Sequence, residues 1–283
     1  MRRTIFGSFA VVLALLVSAT AARADEWSKK FPVTAKPNLT LQADNAALNI
    51  STGPAGEVAV RVTTTGWKIP ADVRVTGTQT GNDIRVEVRQ VHHWISFSHG
   101  SVTVDVTVPS QADLDLSTGN GAVTIGAVMG TVHVSTGNGR IEANGAHGSV
   151  SLHTGNGRVE ATGLDGSLAT HTGNGSVHVS GRFDSLRVDS GRGHVEATVL
   201  AGSKMSGDWQ IGTGVGSVTV SLPSNFSAEL EGSTGVGHIT VAFPLTVSGS
   251  LTGSSVRGRI GNGGPTLRVH TGVGSVHIER SGA

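Results

Sequence analysis

Along most of the chain, apolar and polar residues alternate with period two in short runs, and the runs are punctuated by glycine. Val123 and Ile125, Ile141 and Ala143, Val159 and Ala161, Val177 and Val179, and Val195 and Ala197 bracket Thr124, Glu142, Glu160, His178 and Glu196. A second set of runs carries Val132 and Val134, Val150 and Leu152, Leu168 and Thr170, and Leu186 and Val188. Glycine-containing turns such as Asn144-Gly145-Ala146-His147-Gly148 lie between the two sets. Such alternation describes strands with one buried and one solvated face. No long 3.6-residue apolar period follows the first residues, so almost no helix is expected.

The runs repeat. Gly-x-Gly corners begin at Gly119, Gly137, Gly155, Gly173 and Gly191, a constant step of 18 in the numbering. The first four close with Gly121, Gly139, Gly157 and Gly175. Later corners begin at Gly214, Gly235 and Gly272, with Val256-Arg257-Gly258 read as a degenerate copy, so the spacing becomes 23, 21, 21 and 16. A fixed period with strand composition marks a repeat architecture. Two strands and two turns make one coil of about 18 residues. Parallel stacking then sets each inward residue above its counterpart, roughly 4.8 Å away.

The expected fold is all-β: a parallel β-solenoid. Thr118, Thr136, Thr154, Thr172 and Ser190 form an inward corner column, and Asn120, Asn138, Asn156 and Asn174 an amide ladder. The corner glycines are expected to supply positive φ, with Asn the next most tolerant residue. An antiparallel meander closing into a barrel is the alternative. It fits less well, because residue types match at the full repeat and not at half that distance. A phosphate-binding loop fails on context: it needs a third glycine and a following helix, whereas Arg140-Ile141-Glu142 reads as strand.

Residues 25–109 are less regular and are read as early coils plus an N-terminal β cap, ahead of a repeat domain over 110–283. Strands are expected at Leu39–Ala43, Glu57–Thr64, Asp72–Gly77, Asp83–Gln90 and Ser101–Val108. Ser51-Thr52-Gly53 hints at a diverged coil, and His92-His93-Trp94-Ile95-Ser96-Phe97 breaks the alternation as a loop or cap contact.

Composition adds the compartment. Arg2 and Arg3, the apolar run Phe9–Val17 and Ala22-Arg23-Ala24 have the layout of a secretory signal peptide over 1–24, cut before Asp25. Removing it changes 21 Lys+Arg against 20 Asp+Glu into 18 against 20, a net −2. A near-neutral chain gives no electrostatic reason to expect nucleic acid. No later stretch approaches transmembrane length. Without cysteine there are no disulfides, no thiol chemistry and no lipid attachment at the cleavage point. Glycine at 41 residues and aromatics at 4% suit many short strands and tight turns.

SVTVDVTVP at Ser101–Pro109, DLDLSTGNG at Asp113–Gly121 and the run of Thr-Gly-Asn-Gly corners behind a signal peptide resemble the bacterial putative-adhesin family of exported β-strand-repeat proteins, a group of unknown function. The resemblance spans Leu39 to the C-terminus and is best from Ser101 on. It implies a right-handed β-solenoid on an exported protein and brings no catalytic residues. The chain departs from the pattern where Val215, Val236 and Val273 replace Asn.

The candidate metal ligands are His153 and His171, one repeat apart before Thr-Gly corners, with Ser135 before them and Asp189 after. Structural zinc normally closes with four ligands, so a solvated polar column is the favoured reading, and no metal or other cofactor is expected. Glu142, Glu160, His178 and Glu196 form another outward column, relieved by Arg140 and Arg158. Asp165, Asp184 and Asp189 fall in different columns, which gives no paired carboxylates for catalysis.

The function expected is that of a non-catalytic exported adhesin or cell-envelope scaffold, periplasmic, secreted or surface-associated, taking a protein or glycan ligand. The alternatives are a carbohydrate-active β-helical enzyme and a divalent-metal-binding envelope protein. Ser275–Glu279, followed by only Arg280 and three small residues, is expected to leave an open strand edge suited to edge-to-edge self-association.

Overall fold

The computed structural model describes residues 24–91, 100–252 and 254–281. The signal segment, apart from Ala24, and the stretch His92–Phe97 lie outside the described residues. The rest is β-strand and turn, with no helix among the described residues.

Before the regular repeats come β1 (Ala24–Pro32), β2 (Asn38–Ala43), β3 (Ala47–Thr52), β4 (Glu57–Thr65), β5 (Val73–Thr80), β6 (Asp83–Gln90) and β7 (Ser101–Val108). The repeats begin with β8 (Asp113–Asn120), β9 (Val123–Ile125), β10 (Met129–Asn138), β11 (Ile141–Asn144) and β12 (His147–Asn156). They continue through β13 (Val159–Asn174), β14 (Val177–Arg192), β15 (Val195–Val199), β16 (Trp209–Val215) and β17 (Val218–Leu222). The C-terminal part holds β18 (Ala228–Val236), β19 (Ile239–Val241), β20 (Leu245–Thr252), β21 (Ser255–Ile260), β22 (Thr266–Val273) and β23 (Val276–Arg280). Backbone pairing joins all of them in one sheet.

In the middle of the chain the pairing is parallel and the partners are one repeat apart. Val132 pairs Leu114 and Val150, Val150 pairs Leu168, and Leu168 pairs Leu186. Val123, Ile141, Val159, Val177 and Val195 form the facing column. All ten are buried. The up-down meander is thereby excluded for this region. Inward threonines take their expected places: Thr118, Thr136, Thr154, Thr172 and Ser190 are buried. Each hydroxyl donates to a carbonyl of the adjacent corner, as Thr154 does to Gly139 (3.1 Å) and Thr172 to Gly157 (3.1 Å). The amide ladder forms as well. Asn138, Asn156 and Asn174 each donate to the Asn of the preceding repeat at 2.7–2.9 Å, and Asn120 donates to Asn45.

That last bond corrects the sequence reading of the first coil. Its corner is Asp44-Asn45-Ala46, where Gly119 packs on the Asp44 carbonyl and Gly121 on the Ala46 carbonyl, while Ser51 and Thr52 are strand residues paired with Thr107 and Val108. The glycine rationale is corrected too. The first corner glycines lack positive φ, and so does every described Asn. Glycine is required there by close approach: a Cβ on Gly137, Gly155 or Gly173 would lie 2.6 Å from the carbonyl oxygen of the glycine one repeat earlier. The second glycines are more crowded still, and some of them, such as Gly175 (φ 157°), do have positive φ.

Both ends of the chain are built inward. β2 lies between β6 and β8, and β3 between β7 and β9. At the other end, β22 lies between β16 and β18, and β23 between β17 and β19. The last strand is therefore not an open edge, and Val276 and Ile278 are fully buried. Asp208 pins this arrangement, accepting from the Thr266 N–H (2.8 Å) and from Arg268 Nη1 (2.9 Å). Val256-Arg257-Gly258 is not a corner but part of an antiparallel hairpin, β20–β21, laid against β18. At the N-terminal end β1, β4 and β7 pair antiparallel, as do β5 and β6. Trp27 and Phe31 crowd Gly77, and Lys29 Nζ donates to the Gly77 carbonyl (2.9 Å). Within the longer 191–214 spacing, Trp209 packs edge-on against Phe183 (6.4 Å) and tilted against Phe226 (5.6 Å).

Among the described residues, one core position is polar without compensation. Thr170 stacks between Leu152 and Val188, and its buried hydroxyl has no partner. An unmade hydrogen bond costs about 1–3 kcal/mol, and valine keeps the shape. Thr170→Val is expected to raise the melting temperature by roughly 2–4 °C; a lower melting temperature would show that the hydroxyl is satisfied in solution.

Candidate functional site

The solvated face of β8, β10, β12, β13, β14, β16, β22 and β18 carries two polar columns fixed by strand register. One runs Asp115, His133, Ser151, Ala169, Arg187, Gln210, Arg268, Glu231. The other runs Ser117, Ser135, His153, His171, Asp189, Gly212, His270, Ser233. Alternation sends these residues outward because their chain neighbours fill the core.

Where the first column drops to Ser151 and Ala169, a groove of about 480 Å³ opens. His153 and His171 stand along one side as parallel rings, 5.2 Å between centroids and 8° between planes. His133 closes one end and Arg187 the other. Arg187 Nε donates to Asp189 (3.0 Å), and Gln210 Nε2 donates to the other carboxylate oxygen (3.4 Å). A second groove of about 410 Å³ lies farther along the face, lined by Glu231, Arg257, Arg268 and His270. There the charges offset each other: Arg268 meets both Asp208 and Glu231, and Arg257 meets Glu231 at 3.6 Å.

The sequence reading brought His153, His171 and Asp189 into one column, and the structure places them so. Their geometry does not suit a shared ion. An imidazole nitrogen directs its lone pair within the ring plane, so two stacked rings 8° from parallel do not aim at one point between them, and Asp189 is already engaged by Arg187. Among the described residues no group of three or more metal-ligating side chains converges. Micromolar zinc is expected to leave the melting temperature unchanged; a rise that disappears in the His153→Ala, His171→Ala double variant would establish a metal site. Sequence reasoning missed His133 and Arg187. They are two residues from the histidine column along their strands, and the only signal for them was a pair of small residues, Ser151 and Ala169, between them at repeat spacing.

Two carboxylates, Asp208 and Asp113, are held below their ordinary range. The Thr266 backbone N–H and then the Arg268 guanidinium keep Asp208 below the usual carboxylate range. At Asp113 burial acts upward and is outweighed by the Lys36 ammonium and the Thr131 N–H. On the opposite face Arg140 is bound to Glu142 at 2.7 Å, whereas Arg158 donates to Ser176 rather than to Glu160. His178 faces Glu196 at 3.2 Å. A general acid requires a carboxyl raised toward neutrality, the reverse of these shifts.

Stacked parallel strands, glycine corners in van der Waals register and a polar outer face define a repeat protein of the all-β class. Residues 37–279 match the Toastrack DUF4097 family, and the chain belongs to it. Among solved structures, a putative adhesin of Bacteroides fragilis is 12% identical with a TM-score of 0.52, over 90% of this chain and 97% of that one. A putative cell adhesion protein of Clostridium sporogenes is 14% identical with a TM-score of 0.32, over 90% and 100%. A putative lipid binding protein of Parabacteroides distasonis is 9% identical with a TM-score of 0.46, over 90% and 96%. At such identities the Bacteroides likeness speaks for the fold alone. No curated protein matches the chain. No helix among the described residues is long and apolar enough to cross a membrane.

Proposed function

We propose that this is a non-catalytic binding protein of the cell envelope, an exported right-handed β-solenoid of 18-residue coils that displays ligand-binding side chains on a rigid face. The observation that carries the reading is the outer face of β10–β14. Its side chains are set by a backbone paired on both sides, and its groove is formed by imidazole, hydroxyl and guanidinium groups. Such groups recognise a ligand by hydrogen bonds. Adhesion fits a fold whose rungs lock by core columns and corner ladders, because a rigid surface loses little conformational entropy on binding. The adhesin name of its Bacteroides fragilis relative agrees with this reading.

A glycan array probed with the chain, run beside a polysaccharide-degradation assay, tests the proposal. The expected result is binding to a subset of glycans with no release of reducing ends. Turnover of any bound polysaccharide would replace this reading with that of a β-helical enzyme.

A further inference from the structure

We propose that the groove between His133 and Arg187 is a proton-linked site for a hexuronate unit of an anionic glycan. The inference rests on the binding-protein reading above and names the ligand class of that site. Its shape comes from one register, that of β12 on β13: Ser151 and Ala169 leave the floor low, and the stacked imidazoles of His153 and His171 form the wall. Arg187 uses only Nε on Asp189, so both terminal nitrogens are open to a carboxylate at the groove end. That fork suits a carboxylate better than a neutral hydroxyl. The Ala169 methyl offers an apolar spot for one face of a sugar ring, and the Ser151 hydroxyl and imidazole nitrogens serve its hydroxyls.

A peptide fits less well. Peptides usually join β proteins at open strand edges through main-chain hydrogen bonds, and here β12 is paired by β10 and β13, and β13 by β14. Recognition is left to side chains over a span of a few strands, the scale of one or two sugar units.

The groove also carries its own pH dependence. Charged and titratable groups facing it are Asp115 on β8, His133 on β10, His153 on β12, His171 on β13, and Arg187 and Asp189 on β14. Near pH 7.5 the formal charges of Arg187 and Asp189 cancel, and Asp115, beside His133 at the other end, leaves one formal negative charge. Histidine is the side chain that gains charge between pH 8 and 5. Two cations stacked at 5.2 Å repel, and an anion beside them relieves that repulsion, so binding takes up protons. A uronate stays ionised over this range, and affinity therefore rises as pH falls.

Calorimetry of the full chain with trigalacturonate at pH 7.5 and 5.5 tests this, with maltotriose and tetraglutamate as comparison ligands. The expected result is binding about tenfold tighter at pH 5.5, with net proton uptake seen by comparing buffers of different ionisation enthalpy. Binding is expected to be lost in Arg187→Gln and in Ala169→Glu, two exposed changes whose melting curves report folding separately. The His153→Asn, His171→Asn double variant is expected to flatten the pH dependence. Equal binding of tetraglutamate overturns the glycan assignment. Uronate binding unaffected by Ala169→Glu, or no uronate binding at all, overturns the site. Maltotriose or another neutral glycan bound without uronate sinks this inference and leaves the binding-protein reading standing, whereas cleavage of the trimer sinks that reading instead.

Discussion

Gly155→Val is expected to destabilise the protein by roughly 3 kcal/mol or more, lowering its melting temperature by roughly 6–12 °C for a domain of this size. A Cβ at this position would sit 2.6 Å from the Gly137 carbonyl oxygen, against backbone that is itself stacked on Gly119. No flexible side chain is available to move, so the strain passes to neighbouring rungs. Asn156→Ala, next along the chain, removes two exposed amide bonds, to Asn138 (2.8 Å) and from Asn174 (2.9 Å), and is expected to cost about 1 kcal/mol. A third glycine separates close approach from flexibility. At Gly232 a Cβ would meet Ile239 and Val256 at ordinary contact distances of 3.6–3.8 Å, so Gly232→Ala is expected to be neutral or mildly stabilising. Thermal melts of the three variants check this order. Equal losses at Gly155 and Gly232 would show that the corners do not depend on backbone contact.

Val276→Lys is the second large effect. The side chain is fully buried, on a strand paired with Val218 on one side and Ile239 on the other. An unpaired ammonium there is expected to cost about 3–5 kcal/mol and to release the C-terminal rungs together. Hydrogen exchange reads this directly: amides of Val218–Leu222 and Ile239–Val241 are expected to lose protection along with Val276–Arg280, while those of β10–β13 keep it. If only the final strand loses protection, it is a terminal rung after all.

These two sites differ in how far the sequence revealed them. The need for glycine at Gly155 was legible, because Thr-Gly-Asn-Gly recurs once per repeat, but its reason was not. Periodicity suggested a turn angle, and only the stacked backbone shows a missing Cβ filled by the neighbouring carbonyl. For Val276 the alternation correctly gave a buried residue, while its place in the order of rungs was invisible. At the groove, repeat spacing placed His171 beside His153, yet Arg187 enters the site from the other column two residues away, which a search along one column does not find.

Over Asp113–Arg192 the sequence by itself determined the strands, the inward columns of Val, Leu and Thr, the asparagine ladder and the constant repeat register. It could do so because like residues at constant spacing satisfy each other only in one alignment. Tertiary structure alone decided the order at the two ends. Parallel ladder bonds are made by backbone and do not distinguish one Val-rich rung from another, so Gly214, Gly235 and Gly272 offer three interchangeable neighbours. Specific packing chooses among them: Trp209 against Phe183 and Phe226, the hairpin β20–β21 covering β18, and Asp208 holding Thr266 and Arg268 from far along the chain. These contacts bring together residues distant in sequence, and no local period encodes them.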